Sequence, residues 1–225
     1  MRNRFYSMMF VMIVVLSFMV TGCAVNFYKQ SPRSKKKIEE LSAEISELKK
    51  QQELERKKFE ETKEMLEKKL KTEIDDESIS LEMDERGLVI VLSDNVLFDS
   101  GKAEVKEDAD GVLTKVAQII KKKVSDKDVG VSGHTDNVPI THSSWKTNWE
   151  LSTARATNVL HALVERGVLP EKLSATGYGE HRPRETNGTE EGRAKNRRVE
   201  IVILPEFQEK REGLSEEEGE ADNIK

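Results

Sequence analysis

Residues 79–92 read ISLEMDERGLVIVL, and this stretch decides the fold. Ile79, Leu81 and Met83 alternate with polar residues, Glu85-Arg86-Gly87 supplies a turn, and Leu88 to Leu92 is a continuous apolar run. Alternation marks a strand with one wet face, and an unbroken apolar run fits a strand covered on both faces, so the stretch predicts a β-hairpin. Downstream, helical and alternating patterns take turns. Val105 to about Val124 predicts a helix with Val112, Val116, Ile119 and Ile120 on one face. Residues 128–133 predict a short strand with Val129 and Val131 pointing one way. Leu151 to Arg166 predicts a second amphipathic helix, with Leu151, Val159, Leu160 and Leu163 inward and Gly167 just past its end. A strand over 173–176, a short helix over 189–196 and a last strand alternating Val199, Ile201 and Ile203 with Glu200 and Val202 complete the series. The order β-β-α-β-α-β-α-β predicts an α/β sandwich over residues 76–205, a mixed sheet covered on one face by helices.

Upstream of the hairpin the pattern is purely helical. From Lys35 to about Thr72 there is no Gly or Pro, and strong helix formers dominate. Ile38, Leu41, Ile45 and Leu48 fall at the 3-4-3 spacing of a coiled-coil seam. The seam then falters at Gln52 and Glu55 before Phe59 resumes it. A rod over residues 35–75 is expected, and both a paired coil forming a homodimer and a single helix laced with Glu–Lys pairs fit it. About 38 helical residues at a rise of 1.5 Å make a spacer of ~57 Å. Residues 23–34 read as a tether, with Pro32 opposing helix.

The 225-residue chain is 35% charged and 36% hydrophobic, too polar for one continuous core. From Glu206 onward Glu, Gly and Ser prevail, so residues 206–225 are expected to be a disordered acidic tail. A formal net charge of -5 argues against nucleic acid as a partner. The lone cysteine, Cys23, excludes an internal disulfide and a thiolate metal cluster. It directly follows a signal-peptide pattern: basic Arg2 and Arg4, then the apolar run Met8 to Val20, shorter than a membrane span. Val20-Thr21-Gly22-Cys23 resembles the bacterial lipobox. That resemblance implies a signal peptide over residues 1–22, removal before Cys23 and lipidation of Cys23, and Ala24 after it implies the outer membrane. An uncleaved anchor starting near Phe5 is the other reading.

The candidate site lies in polar blocks between the elements. Asp136 follows the apolar strand, and Arg155 falls early in the next helix. Taken singly, Asp136 also fits a turn cap before Asn137-Val138-Pro139, and Arg155 an exposed helix charge beside Glu150 or Asn158. Read together, Gly133-His134-Thr135-Asp136, Asn148-Trp149-Glu150-Leu151-Ser152-Thr153-Ala154-Arg155-Ala156, Gly177-Tyr178-Gly179-Glu180 and Glu191-Gly192-Arg193-Ala194-Lys195-Asn196-Arg197-Arg198-Val199-Glu200 resemble the OmpA/MotB C-terminal peptidoglycan-binding family. The resemblance runs in order from about residue 88 to 204. The insert Val138 to Thr147, with Trp145, is similar to the MotB-like branch.

This resemblance implies an OmpA-like sandwich that binds the diaminopimelate of a peptidoglycan stem peptide. Asp136 maps to the ammonium-binding carboxylate and Arg155 to the carboxylate-binding arginine, whose planar fork suits a carboxylate better than lysine does. Asn148 maps to a flanking polar contact, and Thr135 and Leu151 line the same pocket. Arg197 and Arg198 fit either a ligand-facing contact or strand-edge charges, and Arg198 is the better candidate for the ligand. No catalytic residue, metal or cofactor is expected: His134, His142, His161 and His181 are scattered, and a catalytic zinc needs three protein ligands. The expected function is a non-catalytic lipoprotein tying the outer membrane to the wall from the periplasmic side. A MotB-like motor stator or secretion-associated protein in the inner membrane is the alternative, although Met8 to Val20 lacks the acid that ion conduction requires.

Overall fold

The computed structural model describes residues 32–141 and 145–205. Cys23 and the apolar run before it, His142 and the tail from Glu206 therefore lie outside the described residues. The chain divides into two compact units, residues 1–50 and 51–225.

Helix α1, Pro32–Lys69, begins three residues before the expected rod. Proline has its φ preset for helix and lacks only a donor that the first turn leaves unpaired, so it opens this helix rather than blocking it. In the first unit Ile38, Leu41, Ile45 and Leu48 are 52, 48, 52 and 54% exposed. From Gln51 the same helix belongs to the folded domain, which corrects the expected boundary at residue 76. Phe59, Thr62 and Leu66 are buried, followed by Leu70. Burying a Phe or Leu side chain is worth ~1.5–3 kcal/mol, so this half of α1 is part of the core. Lys58 holds Asp126 at 2.9 Å, and the buried Lys127 pairs with Glu55. A five-residue helix, α2 (Lys71–Asp75), leads into the sheet.

Among the described residues one five-stranded sheet forms, in the order β1-β2-β5-β3-β4. The expected hairpin is β1 (Ile79–Asp84) and β2 (Gly87–Ser93), antiparallel, with Asp84 opposite Gly87. Strand β5 (Arg198–Ile203) lies between β2 and β3 (Val129–His134), antiparallel to both, and β4 (Leu173–Gly177) runs parallel to β3. The sheet is mixed, as the element order predicts. Leu88, Ile90, Leu92, Val129, Val131, Val199, Ile201 and Ile203 share the main core with helices α4 (Asp110–Lys123) and α5 (Asn148–Glu165). Val89, Val91 and Val202 form a second small cluster, so β2 is buried on both faces, as its unbroken apolar run predicts.

Two differences position the site. Helix α4 starts later than Val105, because Val105 instead bridges Phe98. A short helix that the sequence reading did not anticipate, α3 (Asp94–Leu97), follows β2 directly. Helix α5 starts at Asn148, where the Thr147 hydroxyl accepts from the Glu150 amide at 3.3 Å and caps the first turn. Helix α6 (Glu190–Asn196) is capped likewise by Thr189 on Gly192 at 3.1 Å.

Candidate functional site

The start of α5 presses against the ends of β3 and β4. A Cβ on Gly133 would lie 2.0 Å from the Ser152 carbonyl oxygen, and one on Gly177 would lie 2.2 Å from the Thr153 hydroxyl. Only glycine permits this approach. It holds Asp136, two residues past β3, and Arg155, in the second turn of α5, on rigid supports. The Thr135 amide donates to the Gly179 carbonyl at 3.0 Å, tying the two strand ends together.

Four charges from four elements meet here. Asp136 is buried; its Oδ1 accepts the Val138 amide at 3.0 Å and its Oδ2 accepts from Arg197 Nη1 at 2.6 Å. Arg197 also donates to Glu190 at 2.9 Å. Arg155 is only 3% exposed: Nε donates to the Lys102 carbonyl at 2.9 Å, and the guanidinium lies over the Phe98 ring, 5.0 Å from its centroid. Its Nη1 sits 2.8 Å from Asp94 Oδ1, an ion pair whose angles fall short of a hydrogen bond. The Asp94 amide donates to the Arg197 carbonyl at 3.0 Å, closing the ring of elements.

The electrostatics of this ring are unbalanced. Burial raises the Asp94 carboxyl pKa; Arg155 and Arg197 pull it back, and Asp136 repels its charge. Burial likewise lowers the Arg155 pKa against the attraction of Asp94 and Asp136. The two acids and two bases sum to zero charge while their buried members lack full compensation, an arrangement suited to receiving another pair of opposite charges.

Residues 97–197 match the OmpA family. The chain belongs to this family. It is 38% identical over 148 residues to motility protein B of Bacillus subtilis, an alignment covering 65% of this chain and 56% of that protein. Its fold is similar to the crystal structure of a MotB-like protein from Desulfovibrio vulgaris, at 31% identity and a TM-score of 0.63, covering 69% of this chain and 99% of that one. It is also similar to the cell wall anchor of the T6SS from Pseudomonas aeruginosa, at 33% identity and a TM-score of 0.58, covering 63% of this chain and 97% of that one. The chain therefore spans little more than half the length of the curated relative named here.

Within the OmpA family domain the expected site residues separate into two groups. Asn148 reaches the Asp136 carbonyl at 3.3 Å, the Val138 carbonyl at 3.2 Å and Glu180 Oε2 at 2.9 Å, so it braces the Asp136 loop. Thr135 and Leu151 are buried, and the Thr135 hydroxyl has no hydrogen-bond partner among the described residues. Arg198 goes elsewhere. It leaves β5 on the opposite face from Val199, where Nε donates to Glu200 at 2.8 Å and Nη2 to the Arg182 carbonyl at 3.2 Å. Its neighbour Arg197 is the residue that meets Asp136. Asp94 is the member of the ring absent from the sequence reading, which names Arg197 but ranks it behind Arg198. For Arg198 a signal was available: Val199, Ile201 and Ile203 point to the core, so period 2 sends Arg198 and Glu200 to the other face. Asp94 carried no such signal, since Ser93-Asp94-Asn95 reads as an ordinary turn.

Among the described residues no group of three His, Cys, Asp or Glu side chains gathers as metal ligands, and no helix is long and apolar enough to cross a membrane.

Proposed function

We propose that the four-charge ring binds the free zwitterionic end of a peptidoglycan stem peptide, with diaminopimelate as the ligand group. A zwitterion carries an ammonium and a carboxylate on one carbon. Asp136 takes the ammonium, with Asp94 adding negative potential behind it. Arg155 offers its remaining Nη2 hydrogens to the carboxylate, and Arg197 adds a second cation once its bond to Asp136 is shared. Thr135 and Asn148 supply polar contacts at the rim, and Leu151 supplies an apolar wall. The observation that carries this reading is the Asp136–Arg197 pair set beside Asp94–Arg155 on rigid strand and helix ends. Similarity to a cell wall anchor and to motility protein B supports it. Arg198 serves the sheet in this reading rather than the ligand.

In the same proposal the protein is a non-catalytic tether: lipidated Cys23 holds it to the outer membrane, and the domain holds the wall. The exposed stripe Ile38, Leu41, Ile45 and Leu48 fits pairing with a second copy. Similarity to motility protein B supports a second reading, a motor-associated protein of the inner membrane. The intact mass of the membrane-extracted protein tests the anchor, since acylation at Cys23 sinks the uncleaved one, and fractionation of the two membranes separates the two readings. The wall-binding claim is tested by sedimentation with purified peptidoglycan, in which Asp136→Ala and Arg155→Ala stay in the supernatant while Lys122→Ala pellets normally. Normal pelleting of both site variants would place the wall contact elsewhere.

A further inference from the structure

Trp149, the second residue of α5, is 49% exposed. Its ring lies against His181, with centroids 4.8 Å apart and planes 24° apart. The backbone that carries the ring is fixed: the Trp149 carbonyl accepts from the Ser152 hydroxyl at 3.0 Å and the Thr153 hydroxyl at 2.8 Å. Its chain neighbour Asn148 ties the Asp136 carbonyl to Glu180, the residue before His181. A half-exposed indole stacked on an imidazole, next in the chain to the Asn148 that braces the Asp136 loop, is not needed for the core.

Resting on the stem-peptide reading, we propose that the Trp149–His181 stack is a sugar subsite, on which the glycan strand bearing the stem peptide lays one N-acetylhexosamine ring. The chemistry matches on both sides. A pyranose has an apolar face of C–H groups with slight positive charge, and the indole face carries the negative lobe of its quadrupole. The sugar's hydroxyls and acetamide lie at its edge, where Glu180 accepts hydrogen bonds and Asn148 can exchange one of its own. The ring costs little entropy to order, because the indole is already held. Asn148 bonds to the Asp136 carbonyl and precedes Trp149 in the chain, so one ligand carrying both peptide and sugar engages both.

Two probes separate this inference from the reading beneath it. Calorimetry is run on the whole protein with a soluble diaminopimelate tripeptide and with the same peptide carrying its disaccharide. Wild type is expected to bind the disaccharide-peptide about tenfold more tightly than the tripeptide. Trp149→Ala should remove that tenfold advantage and leave tripeptide affinity within about twofold, and Trp149→Phe should restore part of the advantage. Peptide-free glycan strands form a third arm, in which weak binding by wild type should vanish in Trp149→Ala. Equal binding of both peptide probes by wild type overturns the sugar subsite while the stem-peptide reading stands. An unchanged advantage in Trp149→Ala overturns it too, as does an equal loss for both probes, which would mark Trp149 as structural. Binding of glycan strands without any tripeptide binding would support the platform and sink the charge-ring reading. Failure to bind any probe overturns both.

Discussion

Two of the charge clusters buried among the described residues are built differently. The strand-end ring draws Asp94, Asp136, Arg155 and Arg197 from four elements. The sheet-face cluster holds Glu200 and Arg198 on one strand, with Arg86 reaching in from the hairpin turn. Glu200 accepts from Arg198 at 2.8 Å and from Arg86 at 2.7 Å. Burial works to raise its pKa, yet the bond from Arg86 and the attraction of Arg198 bring it below its ordinary value. At the strand ends the balance has the opposite sign, because burial and Asp136 outweigh the arginines around Asp94. An acid held down is already satisfied, and an acid pushed up still favours an added positive charge. The sheet-face cluster is therefore satisfied within the sheet, and the strand-end ring is the one proposed to take a ligand.

Removing Glu200 should have the largest effect on folding. Its carboxylate is 3% exposed on the side chain and faces two guanidinium groups. Taking away one partner of a buried pair typically costs about 3–5 kcal/mol, because the remaining charge stays buried and uncompensated. Glu200→Ala should lower the denaturation free energy by that order, read by urea melts, and change wall binding only through lost folded protein. A variant that melts like wild type would make the sheet-face cluster dispensable.

The ring variants should do the reverse. Asp136→Ala and Arg155→Ala each remove one side of a desolvated charge contact, worth about 2–5 kcal/mol of binding, or roughly thirtyfold to several thousandfold in affinity. Arg155→Lys keeps the charge and loses the planar fork that reaches the Lys102 carbonyl and Asp94 together, so it should also bind poorly. Wild-type affinity in Arg155→Lys would remove the guanidinium geometry from the argument. The same pair of clusters predicts that Arg197→Gln weakens binding while Arg198→Gln weakens folding.

His134 sharpens the comparison through pH. It is buried beside the sheet-face cluster, against Tyr178, with both ring nitrogens lacking a hydrogen-bond partner among the described residues. Burial first, then the Arg198 charge, with smaller contributions from Arg86 and Arg182, lower its pKa from 6.5 to about 3, although Glu200 opposes this. A histidine kept neutral when folded binds protons better unfolded, so stability is lost as pH falls below 6.5 toward that lowered value. Between pH 6.5 and 5 the loss should be about 2 kcal/mol, seen as a falling urea midpoint, and His134→Gln should flatten it.

What the sequence made legible follows the same division. The sheet was readable because alternation is local: Ile79, Leu81 and Met83, or Val199, Ile201 and Ile203, show their faces within a few residues. Asp136 and Arg155 were readable because each belongs to a motif block in a fixed order. Asp94 was not, and Arg197 ranked behind Arg198, because their meeting exists only once β2, β3, α5 and β5 converge. The boundary after the rod was missed for a similar reason: Phe59, Leu66 and Leu70 share a helical face, and only packing shows that the face meets the domain core.

The smallest effect, and the sharpest contrast, belongs to Asp94→Asn. The raised pKa of Asp94 means that its carboxyl binds a proton better in the folded state than in the unfolded one. Wild-type stability should therefore fall as pH rises from the ordinary carboxyl range through the raised folded value. Glu200 has the opposite slope: its contribution is present above the ordinary carboxyl range and is lost as pH falls through its lowered folded value. Asp94→Asn removes the first slope and leaves the second. At neutral pH it should shift stability only slightly, and in the stabilising direction, because the neutral amide resembles the protonated carboxyl that the folded state favours. Arg155 then keeps its bond to the Lys102 carbonyl but loses its anionic partner, so its guanidinium is held less firmly and wall binding should drop several-fold. Urea melts at pH 4 and 7, set beside peptidoglycan sedimentation at pH 7, read both quantities. A variant that is destabilised at neutral pH and binds like wild type would show that Asp94 belongs with Glu200 as a structural charge, and the contrast between the two clusters would fail at its most sensitive point.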